Sequence, residues 1–287
     1  MMDLLTDIRF IIAVIICMCV IAVVLGICLY LRYRRDNEAS PIGGGLSVEI
    51  GNAQIIGTRE KQDDSFATSI MPYGVMAIVA DGIGGYINGN LASKIAVETY
   101  LDEFERRNAT DNISYYFQTS AVLSNSRIRD EFGEARGGTT AVAVVLTEGK
   151  MYWTSVGDSN IAVIRNKRLI EINRKENVKN WLEDQYLAGA INKEAAMGGP
   201  MDKRLVNYLG YDGFKKASES DRPILLRKKD QILIYSDGVE VIGQIELENI
   251  MSRKGTAQAK AEMIMEAIEN KKVNSKDNST IIILEVK

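Results

Sequence analysis

Val75-Met76-Ala77-Ile78-Val79-Ala80-Asp81-Gly82-Ile83-Gly84-Gly85 decides how the rest of the chain is read, because an apolar run stops on a carboxylate and glycines come directly after it. The run is too short for a helix, begins after Gly74, and reads as a buried strand ending in an acid. The glycines permit a tight turn before the helical pattern from Asn90 to Tyr100. A second apolar run, Gln231 to Tyr235, ends in Ser236-Asp237-Gly238, and Asp277-Asn278 stands at the head of a third, Ile281 to Val286. Carboxylates at strand ends can converge on one point.

The composition excludes several chemistries. The chain has 287 residues, 46% of them hydrophobic, and a formal charge of −3, enough apolar material for a full core and a poor charge for nucleic acid. With no histidine, a Ser-His-Asp triad, a Cys-His dyad and His-ligated zinc are all ruled out. The three cysteines, Cys17, Cys19 and Cys28, lie together in the first apolar segment, so the remainder has no thiol nucleophile. Catalysis here must rest on carboxylates.

Residues 10–31 form an apolar run of about 22 residues, which as a helix would span about 33 Å, the thickness of a bilayer core. Arg32, Arg34 and Arg35 come after it, whereas Arg9 alone precedes it. The positive-inside bias therefore predicts a single-pass anchor in the cell membrane, with residues 36–287 in the cytoplasm. The expected organisation is an anchor over 1–35, a Gly-rich linker over 36–45 and a catalytic domain over 46–287.

Within that domain, strands are expected near 46–56 and 74–80 and helices near 90–106 and 113–132. Further strands are expected at 139–147, 150–156, 160–165 and 168–172, then a helical, Gly-punctuated insert near 175–213. Strands near 223–236, helices near 244–252 and 256–270, and a last strand at 279–286 complete the pattern. Hairpin spacing, as across Glu148-Gly149-Lys150, indicates antiparallel pairing. Helices arriving in pairs between strand groups must cover outer faces, which predicts an α+β fold of two packed antiparallel sheets flanked by helices.

The candidate site is set by the available ligands. Asp63 and Asp64 lie close to Arg59, and with Asp81, Asp237 and Asp277 they form an all-oxygen set suited to Mg²⁺ or Mn²⁺. Any one Asp-Gly alone is more simply a turn; the set together favours a metal centre.

These elements, in this order, resemble those of metal-dependent serine/threonine phosphatases of the protein phosphatase 2C type, especially bacterial members. The resemblance rests on Arg59-x-x-Gln62-Asp63-Asp64-Ser65, Asp81-Gly82-Ile83-Gly84-Gly85, Gly138-Thr139-Thr140-Ala141, Gly157-Asp158-Ser159, Ser236-Asp237-Gly238 and Asp277-Asn278-x-Thr280. It implies hydrolysis of phosphoserine and phosphothreonine on cytoplasmic proteins by water activated between two Mn²⁺ or Mg²⁺ ions. By the same resemblance Asp81 bridges the two ions, the Gly82 carbonyl and Asp63 serve the first, and Asp237 and Asp277 serve the second. Asp64 orients the water, Arg59 holds the substrate phosphate, and the insert borders the substrate groove. A third ion would draw on Asp237 and an acid before Gly138, for which Glu134 is the nearest candidate. Three residues depart from the family pattern: Asp63 stands for a glutamate, Ile83 for a histidine or methionine, and Asn160 for the arginine after Gly-Asp-Ser. Two alternatives stay open, a phosphatase dedicated to one regulatory partner of the anti-sigma-antagonist type and a non-catalytic phosphoprotein-binding module. The expected partners are phosphorylated proteins, membrane receptor-like kinases among them, and the bilayer.

Overall fold

The computed structural model describes residue 16 and residues 18–27, 40–83, 89–106, 109–133, 137–197 and 199–287. The chain divides into two units, Met1–Glu38 and Ala39–Lys287. In the first, residues 18–27 are helical with exposed side chains. Half of the expected 10–31 span lies outside the described residues, and no helix among those described is long and apolar enough to cross a membrane.

The second unit begins with strands β1 (Ser40–Gly43), β2 (Leu46–Ile55), β3 (Ser65–Met71), β4 (Gly74–Ala80) and the short β5 (Gly82–Ile83). Helices α1 (Gly89–Arg106) and α2 (Ile113–Phe132) come next, then β6 (Gly138–Thr139), β7 (Ala141–Thr147), β8 (Lys150–Val156), β9 (Asn160–Arg165) and β10 (Arg168–Glu171). An insert carries α3 (Val178–Leu187) and α4 (Lys193–Ala196). The chain closes with β11 (Ser218–Glu219), β12 (Ile224–Leu225), β13 (Gln231–Tyr235), α5 (Gln244–Met251), α6 (Ala257–Glu269) and β14 (Ser279–Val286).

The strands form two main sheets, β1-β2-β14-β13-β9-β10 and β11-β8-β7-β4-β3, in which every pairing is antiparallel. Strand alternation explains the three apolar layers. Val75, Ala77 and Val79 of β4 face the opposite sheet, where they meet Ile232, Ile234, Ile282 and Leu284. Met76, Ile78 and Ala80 face the other way, against Ala96, Tyr100 and Phe104 of α1 and Phe117 of α2. On the far side, Leu233, Ile281 and Ile283 pack under Leu247 of α5 and Ala261, Ile264 and Ile268 of α6. A strand buried on both faces cannot alternate with polar residues, which is why β4 reads as an unbroken apolar run.

Two local readings need correction. Ser40–Gly43, within the expected linker, is a strand on the edge of the first sheet, with Ser40 opposite Val48. β3 has no counterpart among the expected strands, because Ser65–Met71 mixes small polar and apolar residues and sits, mostly half-buried, at a sheet edge. The strands expected over 223–236 are β12 and β13, separated by a turn in which Lys229 adopts φ 74° and Asp230 Oδ2 accepts from the Arg227 amide at 2.8 Å.

Helix α6 is fixed on β2 by a close crossing. The Ala257 amide donates to Glu49 Oε1 at 2.6 Å, and Gln258 exchanges hydrogen bonds of 3.0 Å with both backbone groups of Asn52. A Cβ on Gly51 would lie 2.2 Å from the backbone at Ala257 and Gln258. Gly51→Ala is therefore expected to destabilise the domain by about 1–3 kcal/mol through overpacking, seen as a melting temperature several degrees lower in a thermal denaturation scan; an unchanged midpoint would contradict the contact.

Candidate metal and phosphate site

The acids sit where the strands of both sheets run out. Asp81 comes directly after β4, and its backbone is held by β6 and the residue after it. The Asp81 carbonyl accepts from the Thr140 amide at 2.8 Å and Thr139 Oγ1 at 2.9 Å, while the Asp81 amide donates to Thr140 Oγ1 at 3.0 Å. Asp237 lies just past β13 and Asp277 just before β14, strands that are neighbours in the other sheet. Asn278 ties in the 59–64 loop: its Oδ1 accepts from the Asp63 amide at 2.8 Å, and its Nδ2 donates to the carbonyls of Ile56 and Lys61.

Arg59, Asp63, Asp81, Gly82, Asp158, Asp237 and Asp277 line one cavity of about 1050 Å³. Lys203 and Arg204 from the insert line it as well, beside Met201 and the stacked rings of Tyr208 and Tyr211. Asp64 is not among the lining residues; it is 3% exposed. Ser236 Oγ and Thr280 Oγ1 each donate to its Oδ2 at 2.7 Å, and its Oδ1 has no hydrogen-bond partner. Glu134, Gly84 and Gly85 lie outside the described residues.

Burial and crowding shift these groups together. Burial first, then the neighbouring Asp64, Asp237, Asp158 and Asp277, push the Asp81 carboxyl well above the ordinary range. Burial raises Asp64 to about 6 against the opposing hydrogen bonds of Thr280 and Ser236, and raises Asp158 to about 6 with help from Asp237. Asp237 is raised by burial and by Asp277. Buried carboxylates that repel one another and leave an oxygen orphaned fit a hard divalent cation, whose ligands are oxygens. As the side chains stand, no three acids among the described residues are gathered closely enough to ring one ion. Asp277 Oδ2 is engaged instead with the Arg59 guanidinium at 2.6 Å. The fit therefore rests on donor chemistry and uncompensated charge.

Asp158 is not among the site residues that the sequence singles out, although the Gly157-Asp158-Ser159 motif marks its position. Lys203 and Arg204 belong to the insert expected to border the substrate groove, but the sequence singles out neither as a site residue, and folding brings them to the cavity.

The sequence model of the family described as protein phosphatase 2C matches residues 51–276. The serine/threonine phosphatase stp of Listeria monocytogenes serotype 4b is 28% identical over 218 residues, 73% of this chain and 84% of its own length. Among solved structures, the S. agalactiae serine/threonine phosphatase superposes with a TM-score of 0.74 at 21% identity, over 84% of this chain and 100% of that one. The catalytic domain of the serine/threonine protein phosphatase PstP, solved with two manganese ions, gives a TM-score of 0.67 at 18% identity, over 84% of this chain and 99% of that one.

The raised acids make stability depend on pH. Asp64 and Asp158 have an ordinary value of 3.8 and a folded value of about 6, so in that window the folded state holds protons that the unfolded state has lost. Their contribution is most favourable below 3.8, falls as pH rises through the window and levels off above 6. In EDTA, replacing both residues by asparagine is expected to flatten the fall in melting temperature between about pH 4 and pH 6, measured by thermal scans; an unaltered slope would contradict the assignment.

Proposed function

Since the chain belongs to the protein phosphatase 2C family and is a serine/threonine protein phosphatase, we propose that it acts with two bound Mn²⁺ or Mg²⁺ ions on phosphorylated cytoplasmic proteins while anchored to the membrane. The observation that carries the metal-dependent reading is the cavity in which Asp63, Asp81, Asp237 and Asp277 meet Arg59 above a buried, half-partnered Asp64. Asp81, Asp237, Asp277, Asp63 and the Gly82 carbonyl would hold the ions. When bound, such ions supply charge that polarises phosphate oxygens and activates water for in-line attack.

The chain's own groups account for the rest. Arg59 presents a planar guanidinium at the cavity wall and binds the phosphate oxygens in place of its present partner Asp277. Asp64 is fixed through Oδ2 by two hydroxyls, which leaves its buried Oδ1 as the acceptor that would serve the attacking water from beneath the cavity. Lys203 and Arg204 add positive charge on the insert side, where a phosphorylated segment enters. With no histidine in the chain, no step uses an imidazole. The third-ion assignment is supported by Asp237 alone, which faces Asp158, since Glu134 lies outside the described residues.

The membrane placement is supported by the apolar run at 10–31 and the arginines after it. Receptor-like kinases in the same membrane are then the first substrates to test, because anchoring raises the effective concentration toward them.

Hydrolysis of a phosphothreonine peptide should require Mn²⁺ or Mg²⁺ and be lost in EDTA; Asp237→Asn should abolish turnover, and Arg59→Ala should raise KM about tenfold or more. Steady-state kinetics decide this, and full activity in EDTA would overturn the metal reading. For topology, protease added to intact cells should spare residues 40–287 and should digest them once cells are opened, as read by immunoblot; degradation in intact cells would reverse the orientation.

A further inference from the structure

Asn160 stands where the family resemblance leads one to expect an arginine, and the positive charge has not vanished from this corner of the site. Asn160 Nδ2 donates to Glu240 Oε1 at 2.9 Å, and Lys175 Nζ pairs with the same carboxylate oxygen. Glu240 lies three residues after Asp237, on the 3₁₀ turn Asp237–Ile242. Lys175 is also close enough to act electrostatically on both Asp158 and Asp237.

The adjacent Glu176 reaches the opposite side. Its Oε2 accepts from the Gly157 amide at 3.0 Å and from Asn207 Nδ2 at 2.8 Å, and its Oε1 accepts from Ser218 Oγ at 2.7 Å. Its backbone amide donates to the Gly157 carbonyl at 2.8 Å, and its carbonyl accepts from the Val206 amide at 2.9 Å. One residue thus joins both roots of the insert to the turn that carries Asp158. Gly157 has φ 93°, and a Cβ there would lie 2.7 Å from Thr140 Cγ2, so that turn has little freedom to adopt another shape.

We propose that Lys175 and Glu176 form a two-residue clamp that positions the acidic floor and the insert relative to each other. Lys175 sets the Asp237 segment through Glu240, and Glu176 sets the Asp158 turn and the mouth of the cavity. Both are positioning residues, acting through neighbours and not on the reacting atoms. The half-exposed Lys175–Glu240 pair adds little stability by itself. Its effect lies in neutralising Glu240, which would otherwise stand as a stray carboxylate beside Asp237. Asn160 completes the arrangement by hydrogen-bonding the carboxylate without adding a second cation.

The kinetic part of the test rests on the phosphatase reading; the structural part does not. The full-length chain is compared with Lys175→Met, Lys175→Arg, Lys175→Met combined with Glu240→Gln, and Glu176→Gln. Hydrogen exchange without divalent cation and steady-state kinetics with Mn²⁺ are measured, the latter on an aryl phosphate and a phosphothreonine peptide. Lys175→Met should speed exchange across residues 237–242 and lower kcat on both substrates about tenfold, with KM for the aryl phosphate unchanged. Lys175→Arg should stay near wild type, and adding Glu240→Gln to Lys175→Met should recover most of the lost kcat. Glu176→Gln should speed exchange across 177–207 and raise KM for the peptide about tenfold while sparing KM for the aryl phosphate. Unchanged exchange in either variant, a double variant no better than Lys175→Met, or equal KM changes on both substrates would overturn the clamp. If the wild-type chain hydrolyses neither substrate, the phosphatase reading fails, and the exchange results still decide the clamp.

Discussion

The constraint on which this structure depends is the confinement of like charges at the ends of buried strands. Asp81 leaves the end of β4, Asp237 leaves the end of β13 and Asp277 enters β14, and the two sheets bring these ends to one cavity. Uncompensated charge in such surroundings costs several kcal/mol per ion in general. Buried hydroxyls offset part of it at Asp64, whose Oδ2 accepts from Ser236 and Thr280, while buried Thr140 and Ser159 bond each other and Thr140 also holds the Asp81 backbone amide. What they leave is negative charge on oxygen, the condition that a hard cation relieves.

Three apolar layers hold that charge in place. Alternation along β4, β13 and β14 sends every second side chain into the space between the sheets and the others under a helix pair, so no face of these strands meets water. The helices are held by specific contacts as well as by apolar ones, as where α6 crosses β2 at Gly51 with Glu49 and Gln258 on either side. The strand ends are rigid because the strand bodies cannot move apart without exposing two layers at once.

Much of this was legible in the sequence because burial on both faces leaves an unmistakable apolar run, and because Asp-Gly after such a run marks a strand end. β4, β13, β14, α1, α2, α5 and α6 all lie within a few residues of their expected limits. Edges were harder to read. β1 and β3 bury few side chains, so neither Ser40–Gly43 nor Ser65–Met71 carries a clean period of two. At the site, Arg59, Asp63, Asp81, Asp237 and Asp277 are gathered as the motif order implied, whereas Asp64 lies beneath the cavity and not on its wall. Asp158 and Lys203 were marked only by a motif and by the insert, and with Lys175 they took on a role only with the fold, since their meaning depends on partners distant in sequence.

Helix α3 contributes no buried side chain to any core. It is held instead at its roots, where the Val178 amide meets the Arg204 carbonyl and Asn177 bridges to Leu205. Selection for foldability therefore acts weakly on residues 178–187. Substitutions at 179–187 carry little thermodynamic penalty, and only Val178 at the helix root reaches the cavity wall, beside Lys203 and Arg204 of the same insert.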